Sequence, residues 1–521
     1  MRRTVFRRYW IPAVLLLAAI VWLALSTSCD RVPDVTGATK LERAARIDPD
    51  YTSLVIPPNI APLNFRIMED GVDYLVRVSS ERGAKLDIPC RDGKCRIPVK
   101  RWRRLLEASR GGRLSFDVFA RPEKGAWVQF GRITNAVAEE PIDSHVVYRR
   151  ITPSGALSRL KGIYQRDLES FRVSALITTR DEKLECFNCH TFHNHDPNRF
   201  LVHTRLTHTG MNLVMDGEVR KIDTQQGPMF RPLAYASWHP GGRHIAGTCN
   251  RFLGHMPSNS GLYPFQALEK RGDLVVYDVE KNTISTSDAV FEHQYIETHP
   301  CWSPDGEYIY FSRGKDFPVR GPEDWEKSDF DLMRIAYDVD TDTWGPPETV
   351  KAYSELGVSC AFPRPSPCGR YVLHILSDKT TYPIHQKSSD VYLLDLASNQ
   401  HRRLDAVCSD RAESFPRWSS NGRWFTFLSS RRDALSALPY IAYFDAHGQA
   451  HKAFVVPQKD PEYYNTFVDT YNVLELVKSR VNISTFKLAM GLQQPARAAK
   501  FPNPPPVDAY TGPTKAVQGG Y

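Results

Sequence analysis

The chain reads as all-β, a β-propeller of five or six blades preceded by a small β-sandwich, and three observations predict it. Turn motifs recur in register at Trp238-His-Pro-Gly-Gly242, Trp302-Ser-Pro-Asp-Gly306, Pro365-Ser-Pro-Cys-Gly369 and Trp418-Ser-Ser-Asn-Gly422. After each comes an alternating strand, residues 243–247, 307–311, 370–374 and 423–428, with the glycine supplying the positive φ of the tight turn. Each unit then closes on a hydrophobic strand ending in Asp: Leu274 to Asp278, Leu332 to Asp338, Val391 to Asp395 and Tyr440 to Asp445. Units of roughly 50 to 65 residues with short strands are propeller blades carrying loop insertions, not helical repeats.

Asp196-Pro-Asn-Arg-Phe200, followed by Leu201 to Arg205 and Leu213 to Met215, makes a fainter fifth unit. A sixth can be closed from the 145–180 segment together with the tail beyond residue 460. The propeller is therefore placed at 185–470 and a connecting segment at 151–184, with a short helix expected over 157–172. Ahead of it, residues 51–150 alternate strand-like runs (Phe65 to Ile67, Tyr74 to Val78, Leu114 to Phe119, Ala126 to Phe130) with Gly and Pro turns, as a β-sandwich does. Residues 471–521 form an extension that is extended or disordered where Pro, Ala and Gly dominate, from Gln493 on.

Arg2, Arg3, Arg7 and Arg8 precede an apolar run from Ile11 to Leu25, the architecture of an export signal or membrane anchor over residues 1–29, with a polar linker over 30–50. Ser26-Thr-Ser-Cys29 resembles a bacterial lipobox, although Ser26 stands where Leu is usual, so either Cys29 is lipidated or the leader stays as an uncleaved anchor. Both readings put the folded part in the periplasm or on the outer face of a bacterial membrane. The composition, 42% hydrophobic and 24% charged, suits a folded secreted chain. The formal charge of +8 is 67 minus 59, and four positives belong to the leader, so nothing favours nucleic acid.

Cys186-Phe-Asn-Cys-His190 carries the chemistry. Two thiols three apart with a histidine directly after them form the attachment signature of a c-type haem: Cys186 and Cys189 add to the vinyl groups and His190 ligates iron. A disulfide or zinc pair is the competing use of the same thiols. Cys90 and Cys95 flank Asp92-Gly93, a two-residue hairpin turn, so a disulfide is expected there, and the other cysteines read as buried thiols.

The repeated units resemble the blades of TolB-type propellers. The wider layout, with Ile56-Pro-Pro-Asn-Ile-Ala-Pro-Leu-Asn-Phe65, Gly162-Ile-Tyr-Gln-Arg166 and Asn188-Cys-His190, is similar to a family of exported bacterial TolB-like proteins bearing a haem-attachment motif. That resemblance implies fold and location more than activity.

Blade geometry places Cys186 to His190 in a loop entering an innermost strand, on the face shared with the long loops 204–212, 249–272 and 314–328. A protein-derived sixth iron ligand is expected there: first His255, then Met256 and His208, with Met211, His203 and His299 as further candidates. His193 and His195 stand too near His190 and read as loop histidines or propionate partners.

Three function classes follow. A membrane-tethered monohaem cytochrome passing electrons to a redox partner is preferred. A non-catalytic scaffold binding an envelope protein or peptide, and a haem peroxidase with an open sixth position, are the alternatives. No hydrolase or phosphoryl-transfer motif is present.

Overall fold

The structure is a computed structural model that describes residues 32–151, 161–179, 186–229, 231–256, 266–292, 294–316, 329–378 and 382–505. The leader, Cys29 and the final residues from 506 lie outside the described residues, as do 317–328 of the long loops. Among the described residues no helix is long and apolar enough to cross a membrane.

Six sheets of four radial strands make the propeller. Blade 1 is composite: Thr470–Val477 is its innermost strand, followed outward by His145–Ile151, Gly162–Asp167 and Val173–Thr178. Blades 2 to 6 begin with innermost strands Cys186–Phe192, Ala234–Trp238, Tyr295–Trp302, Ser359–Pro365 and Glu413–Trp418. The sixth blade of the sequence reading is thus present and closed as expected. The 151–184 connector is corrected, because two strands of blade 1 occupy it, and Gly162–Asp167 is a strand where a helix was expected. Paired on both edges, a run such as Gly-Ile-Tyr-Gln-Arg gains more from the sheet than from a short solvent-exposed helix.

The repeat motif has a physical reason. In blade 4 the Gly306 N–H donates to the Ser303 carbonyl at 3.0 Å, Gly306 sits at φ +82°, and the Ser303 hydroxyl accepts the Tyr308 N–H at 3.0 Å. Ser366 with Tyr371 (3.1 Å) and Ser419 with Trp424 (3.0 Å) repeat this. The closing Asp accepts turn amides and pairs with the arginine after the glycine: Asp278 takes Glu280 and Lys281 N–H groups and binds Arg243 at 2.8 Å, and Asp395 binds Arg370 at 2.8 Å. The motif tryptophan reaches the preceding blade, Trp238 Nε1 to the Thr191 carbonyl and Trp418 Nε1 to the Arg364 carbonyl. These residues are architectural.

The N-terminal domain has a seven-stranded sheet, including Asp73–Ser80, Arg113–Arg121 and Val128–Gly131, and a three-stranded one with Phe65–Ile67. Against Asp73–Ser80 and Arg113–Arg121 of the larger sheet packs a helix the sequence reading passed over, Val99–Ser109, which buries Trp102, Leu105 and Leu106 at helical spacing. The Asp92-Gly93 turn forms with both residues at positive φ. It brings Cys90 and Cys95 side by side as buried thiols, burial pushing the Cys95 thiol up. The domain is clamped to blade 6: Asp143 accepts the Ser420 N–H (2.8 Å) and hydroxyl (2.6 Å), and Arg432 pairs with Asp48 at 2.8 Å.

After the closing strand, helix Thr485–Gln493 packs on blades 1 and 2 and Arg497–Ala498 adds a parallel strand to the rim of blade 2. The extension expected to be loose is docked up to residue 505.

Candidate functional site

Every innermost strand carries a β-bulge at the same depth. The register slips between Phe187 and His190, Ala234 and Ser237, Thr298 and Cys301, Ala361 and Arg364, Ser414 and Arg417, and beside Val473 in blade 1. Tyr235, His299, Phe362, Phe415 and Val473 occupy the slip with φ between +48° and +57°. Aromatic and β-branched residues seldom adopt that region, so the packing around the channel imposes it. Tyr235 to His299 (4.6 Å), His299 to Phe362 (4.1 Å) and Phe362 to Phe415 (4.5 Å) are ring contacts, and Tyr235 reaches Phe362 two blades away at 6.3 Å. These rings converge on the axis and floor the channel.

The haem-motif residues are part of this wall. Cys186 to His190 belongs to strand Cys186–Phe192, which corrects the expected loop: pairing with Arg199–Arg205 carries the strand through the motif, and the bulge absorbs Asn188 and Cys189. The Cys186 and Asn188 side chains lie outside the described residues. Cys189 is half-buried. Tyr235 and Tyr382 lie within electrostatic reach of it, of Arg205 and of Glu269, and Tyr382 is also within reach of Arg149. Burial pushes both phenols up.

His190 is only 1% exposed. Its Nε2 stands 3.4 Å from the Val147 carbonyl, and its Nδ1 has no partner. Burial pushes the imidazole down to about 4 against the opposing pull of Glu475, so it is neutral at pH 7. A neutral imidazole with one nitrogen toward a carbonyl and the other buried and unpartnered has the donor chemistry of an axial haem ligand. Cys186, Cys189 and His190 are thus the residues that would hold a covalent haem.

The distal candidates are dispersed. His203, in strand Arg199–Arg205, is 5% exposed and held neutral, and Met211 is wholly buried among Leu201, Leu213 and Ile222 in an apolar cluster. His208 ends a short 3-10 turn and is half-buried. His255 and Met256 stand near the end of strand His244–Met256, paired with Gln266–Asp278, so the expected 249–272 loop is largely a two-stranded ribbon; their side chains lie outside the described residues. His193 and His195 staple blades, meeting the Pro240 and Leu476 carbonyls at 2.8 Å each.

The sequence reading missed a second layer. In blades 2 to 6 the residue that resumes pairing after the bulge is His190, Ser237, Cys301, Arg364 and Arg417, and in blade 1, where Leu474 resumes pairing, Glu475 stands two residues past Val473 as Cys301 stands two past His299. Arg417 pairs with Glu475 at 3.0 Å. The signal was available: in blades 3, 4 and 6 this position directly precedes the motif tryptophan, and in blade 5 it precedes the proline that replaces it. A further group, Asp390, Cys408 and Glu413, lies within metal-ligand spacing, but Arg403 holds Asp390 at 2.7 Å and Arg431 holds Glu413 at 3.1 Å.

No known protein family matches the chain, and no curated protein is detectably similar in sequence. Among solved structures it is similar to TolB from Acinetobacter baumannii, at 13% identity over 66% of this chain and 79% of that one, with a TM-score of 0.39. The periplasmic gluconolactonase PpgL of Pseudomonas aeruginosa is 13% identical over 64% of this chain and 99% of its own, with a TM-score of 0.30. A puromycin-hydrolysing peptidase of Mycobacterium tuberculosis is 12% identical over 58% and 44%, with a TM-score of 0.35. These are likenesses of fold; the six-bladed assignment rests on the sheets themselves.

Proposed function

We propose that this protein is an extracytoplasmic propeller scaffold whose working surface is the channel mouth around Cys189, where a segment of an envelope protein docks. The carrying observation is the gathering of Tyr382, Arg149, Arg205 and Glu269 about Cys189, next to the aromatic rings of Tyr235, His299 and Phe362. Aromatic and arginine side chains around a half-buried depression are what interface centres are made of. Export rests on the basic leader and apolar run of the sequence. A photo-crosslinking residue at position 382 should capture an envelope protein in cells, and one at Asp305, on the opposite face, should not. Equal labelling from both positions, or from neither, would defeat the reading.

A second reading is supported by the unpartnered Nδ1 of His190: covalent haem at Cys186 and Cys189, with electron transfer to a partner seated on the same mouth. When bound, the haem supplies one-electron chemistry; the chain's residues fix the imidazole as neutral and shield it from water. An alkaline pyridine haemochrome spectrum of protein matured with the cytochrome c machinery decides between the two, a colourless product leaving the scaffold alone.

A further inference from the structure

The layer beneath the aromatic floor has an unbalanced charge. Arg364 and Arg417 stand two residues past the positive-φ Phe362 and Phe415 on adjacent innermost strands, and Glu475 stands two past the positive-φ Val473 on the next. Two guanidinium groups and one carboxylate sum to +1. Arg417 takes the carboxylate. Arg364, 7% exposed, has as partners its neighbour's Pro363 carbonyl at 2.7 Å and the Cys301 thiol; Glu475 is within electrostatic reach of it, but it forms no ion pair of its own among the described residues. The Nε of both arginines is buried and unpartnered. Next to them His299, 1% exposed, has both ring nitrogens unpartnered, one of which carries a proton to donate.

A lysine in such a place would shed its charge; an arginine does not. Burial, helped by the like charge of Arg417, pushes Arg364 down only to about 10, so it is ionised at neutral pH. His190 is neutral and offers no compensation. An uncompensated buried cation costs several kcal/mol, and the inexpensive remedy is a counter-ion.

We propose that the waist of the channel binds a small monovalent anion, of chloride or formate size, between the Arg364 and Arg417 guanidinium groups with Cys301 and His299 beside it. The charge of the layer selects a monovalent ion, and the aromatic layer above it limits the size. The site is independent of whether haem is attached at Cys186 and Cys189.

Bromide is the probe. Crystals of the full chain grown in sodium bromide should show an anomalous peak within hydrogen-bond reach of both guanidinium groups, and the melting temperature should rise with chloride concentration at ionic strength held constant with gluconate. Cys301→Asp, which puts a carboxylate into the ring beside Arg364, should abolish both the peak and the chloride dependence while the protein remains folded. Arg364→Met should do the same if it folds, but the Asp variant decides. Absence of a bromide peak in the wild type, an unaltered chloride dependence in Cys301→Asp, or density there belonging to a carboxylate of a bound polypeptide would each overturn the assignment of a free ion.

Discussion

Arg417 of blade 6 and Glu475 of the closing strand form an ion pair of 3.0 Å that ties blade 6 to the strand completing blade 1, whose own sheet partner, His145–Ile151, lies more than 300 residues earlier. The side chains are 17% and 9% exposed, so the pair is largely shielded from water. It joins residues that the repeat places at equivalent positions, one in a repeat unit and one in the tail.

Glu475→Gln should therefore destabilise strongly, by about 3 kcal/mol, because it leaves a second buried guanidinium without a carboxylate. Urea denaturation measures it. Arg417→Gln added to Glu475→Gln should recover part of the loss, and a double variant no better than Glu475→Gln would show that the pair is not the cause.

Cutting the chain after Asp469 removes the innermost strand of blade 1 and exposes the edge of His145–Ile151. The expected outcome is loss of cooperative unfolding and concentration-dependent aggregation, seen by calorimetry and light scattering. A monomeric truncated protein with an unchanged melting profile would contradict closure by this strand.

Cys186→Ala together with Cys189→Ala should remove any covalent haem, judged by haem staining on a denaturing gel, while circular dichroism still reports the propeller. The inner strand pairs through backbone groups that these substitutions leave intact. Global unfolding of the variant would mean that haem or a sulfur bridge organises blade 2.

Gly306→Ala should cost more than Gly217→Ala. Both glycines have positive φ, +82° and +83°, but a methyl at 306 collides with the His239 ring whereas nothing lies within 4 Å at 217. About 1 kcal/mol is expected at 217 from the backbone alone, with at least a further 1 kcal/mol at 306 from the clash. Equal losses in denaturant titrations would refute the contact.

His374 is fully buried, bonded to the Tyr353 hydroxyl at 2.7 Å, and pushed down by burial from 6.5 to about 3. Its folded pKa lies below its unfolded one, so the unfolded chain binds a proton the native state refuses, and stability falls as pH drops from 6.5 toward 3, by about 1.4 kcal/mol per pH unit. Glu297, which burial pushes up, acts with the opposite sign over part of that window. The check is therefore the slope between pH 6.5 and 5 of wild type minus His374→Gln; identical slopes would rule out the titration.

The fold was legible because its turns are written in chemistry that tolerates few substitutes: Ser303, Pro304, Asp305 and Gly306 each satisfy a separate backbone demand. Blade 1 was only half legible, since Thr470–Val477 has no turn motif and its pairing with His145–Ile151 spans more than 300 residues. The Val99–Ser109 helix was hidden among strands by its many arginines. At the site, the thiols and His190 stood out as a motif, but their place in a strand and the burial of His190 did not, because a bulge leaves no mark in composition. The charged ring was invisible for a related reason: its members differ chemically, and only structural equivalence unites Glu475, His190 and Arg364.

The composite blade also imposes a timetable. The innermost strand that shelters His190 is flanked by one that emerges nearly 300 residues later, so during synthesis the Cys-x-x-Cys-His segment passes through a period in which its neighbour Glu475 has not yet been made. His190 is therefore open to solvent in the growing chain and loses that access when the ring closes.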